Sequence, residues 1–347
     1  MASKASPAVL EWVLVAPVRN VQLTIATNHE LRFGRLTLVT LPRLTRCRRR
    51  FGLPRPIADL KKSGALANFF DPRQIYAVAR AGGTASDAGK EFERLATEGL
   101  TLLTLSQLGI GRRRHSALPS LGHVDNQRRA IAQIQSKGGS AARSTWWRTG
   151  KQDELVIDEL WLKLSKRFFF SRLCEIIYPS GKTISPWRPY MMRAASLVGD
   201  SMGSSDIAHA FLLNMIAIEL LLTSGDDKYS EALPMRAESF LGWATDWQVL
   251  RYPERIRECY LKRCDIVHRG KRDHITREDL YLTDDLLFNI FTNILKHPRQ
   301  FPNKESVIAF SAKVAAANLL GIKASARPRT LSFSKPNYID ADYTQAM

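Results

Sequence analysis

Residues 260–270 read Tyr260-Leu261-Lys262-Arg263-Cys264-Asp265-Ile266-Val267-His268-Arg269-Gly270 and end a segment with helical periodicity. Apolar side chains recur along it at helical spacing, at Ile256, Cys259, Tyr260 and Val267. This pattern predicts an amphipathic helix over 253–268. Arg263 falls within the apolar stripe, where a charge must be paired or hydrogen-bonded. An arginine held near a histidine can bind a phosphate and move a proton, so this run is the first candidate for chemistry.

Further helices are predicted on both sides of this run, over 190–202, 206–223, 234–249, 277–296 and 304–320. Most of the connecting segments are short, so neighbouring helices should pack as a bundle. The tail after Gly321 is rich in serine, proline and arginine and is expected to be disordered. We therefore expect an all-α domain over 188–321 and a disordered tail over 322–347.

The N-terminal half has a different pattern. Short apolar runs predict strands over 12–18, 21–26, 31–41 and 74–80. Helical spacing predicts helices over 86–108 and 155–177. The basic segments 43–55 and 109–153 contain many loop-forming residues, and we expect them to be exposed loops. The predicted fold is α+β and mainly α, with a mixed α/β region of unassigned role over 1–180.

The chain has a strong excess of positive charge. It carries 51 lysines and arginines against 33 aspartates and glutamates in 347 residues, a formal net charge of +18. That excess indicates a polyanionic partner, most simply nucleic acid, with an anionic membrane surface as the alternative. The side chains that we expect to bind nucleic acid are Arg48, Arg49, Arg50, Arg112, Arg113, Arg114, Lys262 and Arg269. The alternative for the two arginine clusters is that they are solvated loops.

Cysteine usage and hydropathy suggest a cytoplasmic protein. Its four cysteines are Cys47, Cys174, Cys259 and Cys264, and none forms a Cys-x-x-Cys pair. This spacing predicts neither a disulfide framework nor a zinc site, as is usual in a reducing compartment. The longest apolar stretch, 211–222, contains Asn214 and Glu219 and is too short to span a bilayer. No signal peptide is evident, so we expect a soluble, cytoplasmic chain without a membrane partner.

Three pieces of the C-terminal half resemble a known family. They are Ala217-Ile218-Glu219-Leu220-Leu221, Arg236-Ala237-Glu238-Ser239-Phe240-Leu241 and Tyr260-x-x-Arg263-x-x-Ile266-Val267-His268. Through them, residues 188–320 resemble the HEPN superfamily and, within it, the Apea-like group. The last piece is similar to the group's Tyr-x-x-Arg-Ser-x-Ile-Val-His-Gly signature. This chain has Cys264 in place of the serine, and Arg269 separates His268 from the glycine.

The resemblance implies a helical bundle that often dimerises and that frequently acts as a metal-independent ribonuclease. Members of the family work in phage defence, toxin–antitoxin or stress-response settings. On this basis Arg263 and His268 are the catalytic residues of an Arg-x4-His motif, and Tyr260 and Asp265 support the site. The implied partners are RNA, a second copy of the chain, and an antitoxin or defence-system protein. No metal and no cofactor are expected.

The expected reaction is cleavage of RNA by its own 2′-hydroxyl group, which attacks the adjacent phosphate. Arg263 suits the phosphate because a guanidinium can bind two oxygens at once. His268 suits proton transfer because its ordinary pKa lies near neutrality, and its place near the end of a helix favours the protonated ring. We therefore expect it to be the general acid. Glu219 lies in another apolar helix and is expected to pair with Arg263 and orient it.

Helical geometry separates the two motif residues. Five positions correspond to about 140° on an ideal helix, so Arg263 and His268 cannot share a face unless the helix unwinds near Val267. A site made from two copies of the motif across a dimer resolves this difficulty. One alternative is that both residues are structural. Another is a non-catalytic HEPN module that binds nucleic acid or a protein partner. A sequence-specific DNA-binding protein is less favoured, since no helix-turn-helix spacing is present.

Overall fold

The computed structural model describes residues 11–53, 56–62, 69–109, 118–122, 129–134, 141–146, 154–181, 183–241, 247, 249–322 and 333. The chain divides into two compact units. The first, here called the sheet unit, comprises Met1–Leu100 and Ser116–Leu160. The second, the helical unit, comprises Thr101–His115 and Trp161–Met347. The fold is α+β and mainly α, which confirms the predicted class.

The described strands all belong to the sheet unit. They are β1 (Glu11–Arg19), β2 (Val21–Leu23), β3 (Glu30–Phe33), β4 (Leu36–Thr40), β5 (Ile75–Gly82), β6 (Ser120–Leu121), β7 (Arg129–Ile134), β8 (Ala141–Trp146) and β9 (Leu155–Ile157). Five of them form an antiparallel sheet in the order β3-β4-β5-β1-β6. Strand β2 pairs in parallel with β9, and β7 pairs with β8 in an antiparallel hairpin.

The sheet unit also contains α1 (Leu41–Arg46), α2 (Ile57–Lys62) and most of α3 (Ala85–Leu105), whose last residues belong to the helical unit. Side chains from the sheet and from the α1–α2 segment form one apolar cluster that includes Val39, Leu44, Phe51, Tyr76 and Val78. Burial of these residues holds the segment against the sheet. The prediction of an exposed loop over 43–55 is therefore wrong in part.

Two other segments also differ from the sequence prediction. The region 109–153, expected to be loops, contains β6 and the β7–β8 hairpin. The helix expected over 155–177 instead begins with β9 and continues as two helices. Strand β9 forms because Leu155, Val156 and Ile157 pair with β2, far away in the sequence. Long-range pairing of this kind overrides local helical periodicity.

The helical unit contains most of α4 (Glu159–Arg167) and all of the later helices. These are α5 (Phe170–Ile177), α6 (Arg188–Gly203), α7 (Ile207–Leu222), α8 (Tyr229–Leu241), α9 (Tyr252–Arg269), α10 (Arg277–Lys296) and α11 (Lys304–Leu319). Helix α7 is at the centre, since it contacts α6, α8, α9, α10 and α11. Between α4 and α5, Phe169 stacks on Phe291 of α10 with ring centroids 5.3 Å apart. The helical unit therefore starts before residue 188.

Helix α8 begins and ends earlier than the predicted helix over 234–249. It spans Tyr229–Leu241 and contains Pro234 in its interior. Proline is most common in the first turn of a helix, which is why the sequence suggested a start at that position. The other helices of this unit from α6 onward begin and end within a few residues of their predicted limits. Most of the tail expected to be disordered, 322–347, lies outside the described residues.

Candidate functional site

Helix α9 carries both motif residues and has a defined C-terminal end. Gly270 follows it with a φ of 66°, in the left-handed region that favours glycine. Its N–H donates to the carbonyl oxygen of Ile266 at 3.1 Å, and the N–H of Lys271 donates to the carbonyl oxygen of Asp265 at 3.3 Å. The bond from Gly270 is the usual one at a helix that ends with a glycine in the left-handed conformation. The helix is continuous to Arg269, so it does not unwind near Val267.

Arg263 and Glu219 form an ion pair between α9 and α7. The Nη2 atom of Arg263 donates to Oε2 of Glu219 at 3.0 Å. The Glu219 side chain is 8% exposed and the Arg263 side chain is 21% exposed. The contact expected between these two residues is therefore present, because the apolar stripes that carry them face each other across the bundle. What the pair does chemically stays a prediction.

Each residue of this ion pair has one buried side-chain atom that forms no hydrogen bond with a described residue. Oε1 of Glu219 and Nε of Arg263 are buried and form no hydrogen bond within the described ranges. Burial raises the pKa of Glu219, and the attraction of Arg263 opposes this effect only in part. Arg263 therefore has guanidinium N–H groups that Glu219 does not use. A carboxylate holds the guanidinium in place without occupying all of its donors.

Tyr260 lies one turn before Cys264, and the two side chains interact. Burial and a hydrogen bond shared with the thiol of Cys264 raise the pKa of Tyr260 to about 12. The phenol is therefore protonated at neutral pH and can serve as a hydrogen-bond donor. Its ring also packs edge-on against Tyr229 of α8, with centroids 6.4 Å apart. Cys264, which stands in place of the serine of the Apea-like signature, thus contacts Tyr260 of the same motif.

His268 is exposed near the end of α9, away from the Glu219–Arg263 pair. Its side chain makes no hydrogen bond or ion pair with any described residue. The separation expected from helical geometry is thus retained, because α9 is regular over this segment. Within one chain, Arg263 and His268 are not brought together.

The remaining charged residues of the motif are engaged in ion pairs. Arg269 pairs with Asp265 one turn earlier at 3.0 Å, on the surface of α9. Lys262 pairs with Asp279 at 2.7 Å, and Asp279 also accepts hydrogen bonds from Thr276 at the start of α10. Lys262 therefore links α9 to the first turn of α10. A phosphate at either cation would have to compete with a carboxylate already present.

A second buried polar residue on α7 was not assigned a role from the sequence. Nδ2 of Asn214 donates to Oγ1 of Thr283 at 2.9 Å and to Oδ1 of Asp284 at 2.7 Å. These bonds connect α7 to α10 and fix the helix that carries Glu219. The signal that could have found this contact was the polar residue interrupting the apolar run 211–222.

The predicted nucleic-acid-binding clusters lie in the N-terminal half. Arg50 pairs with Glu30, and its guanidinium lies 4.8 Å from the centre of the Phe51 ring. Arg48 donates to the carbonyl oxygen of Leu53 at 3.4 Å, and Arg49 is exposed. The second cluster, Arg112, Arg113 and Arg114, lies outside the described residues.

The described part of the chain has no group of three or more histidine, cysteine, aspartate or glutamate side chains that could hold a metal ion. Among the described helices, none has the length and apolar character needed to cross a membrane. No family model matches the chain, and no curated protein or solved structure matches it either. Membership of a family therefore stays a prediction from the motif.

Proposed function

We propose that this chain is a metal-independent endoribonuclease of the HEPN type, which cleaves RNA through its 2′-hydroxyl group in the cytoplasm. The observation that supports this function most is the Glu219–Arg263 ion pair. A buried carboxylate accepts a hydrogen bond from one Nη atom of an arginine that is itself partly exposed. A guanidinium fixed in this way can stabilise the negative charge that develops on the phosphate.

His268 is the proton-transfer group in this mechanism. Its exposed ring has both nitrogens available to substrate. As general acid it gives a proton to the 5′-oxygen that leaves the phosphate. The attacking 2′-oxygen loses its proton to solvent or to a second base, and the product carries a 2′,3′-cyclic phosphate. Dependence on the 2′-hydroxyl makes the activity specific for RNA.

The active form in this proposal is a homodimer in which each site combines Arg263 of one copy with His268 of the other. Tyr260, Cys264 and Val267 fill the arc of α9 between these two residues. Val267 and nearby Leu261 are 50% and 53% exposed, which is high for apolar side chains on a regular helix. Packing of two α9 helices about a two-fold axis covers these residues and brings opposite ends of the motif together.

The biological setting that we propose is phage defence, a toxin–antitoxin pair or a stress response. In such a setting, an antitoxin or defence-system protein binds the same chain and controls its activity. The net charge of +18 fits RNA as the substrate, since it favours association with a polyanion. This setting is proposed from the motif resemblance.

The test is RNA cleavage in the presence of a chelator, with the wild-type chain and the Arg263→Ala and His268→Ala variants. His209→Ala is the matched control, since His209 is also exposed on a helix of the same unit but lies outside the motif. We expect wild type and His209→Ala to cleave RNA and to leave 2′,3′-cyclic phosphate ends, and both motif variants to be inactive. Equal cleavage by all four proteins would show that a contaminant is responsible.

The competing function is a non-catalytic HEPN module that binds nucleic acid or a protein partner. The observation that favours it is the separation of His268 from Arg263 within one chain. In that case the same assay gives no chelator-resistant cleavage with any of the four proteins. A binding measurement with labelled RNA then detects a complex that none of these substitutions in α9 abolishes.

A further inference from the structure

The sheet unit contains a cavity of about 290 Å³ that the proposed ribonuclease mechanism does not use. Four arginines line it: Arg32, Arg35, Arg50 and Arg80. Thr37 and Val78 are also among the lining residues. So many guanidinium groups around one small cavity attract anions, which makes this the strongest candidate for a further site.

Strand register explains why these residues converge. Arg32 of β3 is opposite Thr37 of β4, and Thr37 is opposite Val78 of β5. Directly opposite residues in antiparallel strands lie on the same face of a sheet, so these three form one row. Arg80 lies two positions beyond Val78, on the same face. The residues after α1 bring Arg50 to this face.

Backbone carbonyl groups hold two of the arginines in place. Nη2 of Arg35 donates to the carbonyl oxygen of Arg80 at 2.6 Å. Nη2 of Arg80 in turn donates to the carbonyl oxygen of Arg50 at 3.0 Å. These bonds fix the guanidinium groups without neutralising their charge. An anion would therefore find donors that are already ordered, which lowers the entropy lost on binding.

The nearby carboxylates do not balance these arginines. Glu30 is shared by Arg43 and Arg50, and Glu91 is shared by Arg35 and Arg94. The carboxylate nearest to Arg80, that of Glu11, is 4.0 Å away. Arg32 makes no ion pair with any residue that the structure describes. The cavity therefore keeps a positive balance.

Thr37 provides an independent indication of a ligand. It lies on a strand whose neighbouring residues Leu36, Leu38 and Val39 are all buried, and it is itself only 7% exposed. Within the described ranges its hydroxyl group makes no hydrogen bond. A hydroxyl group at this position can donate a hydrogen bond to a ligand oxygen, whereas valine has the same shape and no donor. Thr37 is one of the residues that line the cavity, so a ligand oxygen there could accept this hydrogen bond.

We propose that this cavity binds a phosphate monoester, either that of a nucleotide or that at the 5′ end of a nucleic acid. Planar guanidinium groups match phosphate oxygens, and a monoester presents three terminal oxygens with a charge of about −2. A phosphodiester has fewer terminal oxygens to accept hydrogen bonds, and both of its ester-linked groups would have to extend out of the cavity. The site lies in the sheet unit and does not depend on the ribonuclease function.

The test is calorimetric titration of the full chain with inorganic phosphate, AMP and adenosine at constant ionic strength. Arg32→Gln removes an arginine without an ion pair, and Thr37→Val removes only the hydroxyl group. Arg46→Gln is the matched control, since Arg46 is exposed, has no ion pair within the described residues and does not line the cavity. We expect phosphate and AMP to bind and adenosine not to bind. Arg32→Gln and Thr37→Val should each weaken binding about tenfold, as loss of one charge-assisted hydrogen bond does.

A second titration distinguishes a nucleotide from the 5′ end of a nucleic acid as the source of the phosphate. Short DNA strands with a 5′-phosphate or a 5′-hydroxyl are compared, because DNA lacks the 2′-hydroxyl and cannot be cleaved by the proposed ribonuclease. Tighter binding of the phosphorylated strand identifies the end of a nucleic acid as the ligand, and binding of AMP alone identifies a nucleotide. Equal affinity of Arg32→Gln and Arg46→Gln for phosphate, or no binding of phosphate by the wild type, would overturn the site whatever the cleavage assay gives.

Discussion

Glu219 and Arg263 differ in burial, and this difference determines how the pair affects stability. The carboxylate is almost completely buried, whereas the guanidinium retains access to solvent. Removing a carboxylate from water is costly, and a single hydrogen bond from Arg263 compensates for only part of that cost. The pair is therefore weak evidence for added stability. It is better explained as a means of fixing one arginine at a defined place on α9.

The first prediction follows from the raised pKa of Glu219. The folded chain binds this proton more tightly than the unfolded chain, where the pKa is near 4.5. The stabilisation is therefore fully present below that pH and is lost as the pH rises through the folded-state pKa. We expect the unfolding free energy of wild type, relative to Glu219→Gln, to decrease as the pH rises above about 4.5. Urea unfolding of both proteins measures this difference, and a constant difference would contradict it.

At the scale of elements, the end of α9 depends on one glycine. Gly270 has a positive φ, and a Cβ placed there would meet no atom within 4 Å. Any cost of Gly270→Ala therefore comes from the backbone conformation alone. We expect it to lower the unfolding free energy by about 1 kcal/mol and to loosen the turn that carries His268. Hydrogen exchange of the last amides of α9 measures the loosening.

Gly225→Ala is the control for this substitution. Gly225 also has open space around its Cα, but its φ lies outside the left-handed region. We expect its replacement to leave stability and the exchange of α9 amides unchanged within about 0.5 kcal/mol. If both substitutions had the same effect, the conformation of Gly270 would not be what ends the helix.

Two glycines inside helices should respond to alanine in opposite directions. A Cβ on Gly199 of α6 would lie 2.5 Å from the carbonyl oxygen of Thr101, whereas a Cβ on Gly89 of α3 would meet nothing within 4 Å. We expect Gly199→Ala to destabilise the chain by about 1–3 kcal/mol through overpacking. Gly89→Ala should stabilise it by up to about 1 kcal/mol, because alanine has the higher helix propensity. Thermal unfolding of both variants tests this, and similar shifts would refute the close packing at Gly199.

The elements show which parts of this fold can be predicted from the sequence. The limits of α10 were predictable because Thr276 and Asp279 form a capping box and a proline follows the helix. Strand β9 could not be predicted, because only its pairing with β2 distinguishes its three apolar residues from a turn of helix. The cavity of the sheet unit was missed for the same reason. Arg32, Thr37 and Arg80 are far apart in sequence and become neighbours only through strand register.

At the scale of the whole molecule, the proposed catalytic site is incomplete in one chain. The contact between Glu219 and Arg263 could be predicted because each is a lone charge in an apolar helix. The separation of His268 could be predicted from helical geometry. The way in which a second copy packs against the first could not be predicted, because this packing depends on the whole surface around Leu261 and Val267. In the proposed mechanism, the packing of a second copy therefore determines whether the motif forms a working site.

Mixing two inactive chains tests this dimer directly. If each site combines Arg263 of one copy with His268 of the other, a dimer of an Arg263→Gln chain and a His268→Ala chain contains one intact site. We expect each variant alone to be inactive, and an equal mixture after subunit exchange to recover roughly a quarter of wild-type cleavage, since half of the dimers are mixed and each has one of two sites. A chain with both substitutions should restore nothing when mixed with either variant. An inactive mixture that nevertheless contains mixed dimers would mean that the two residues do not act across the interface.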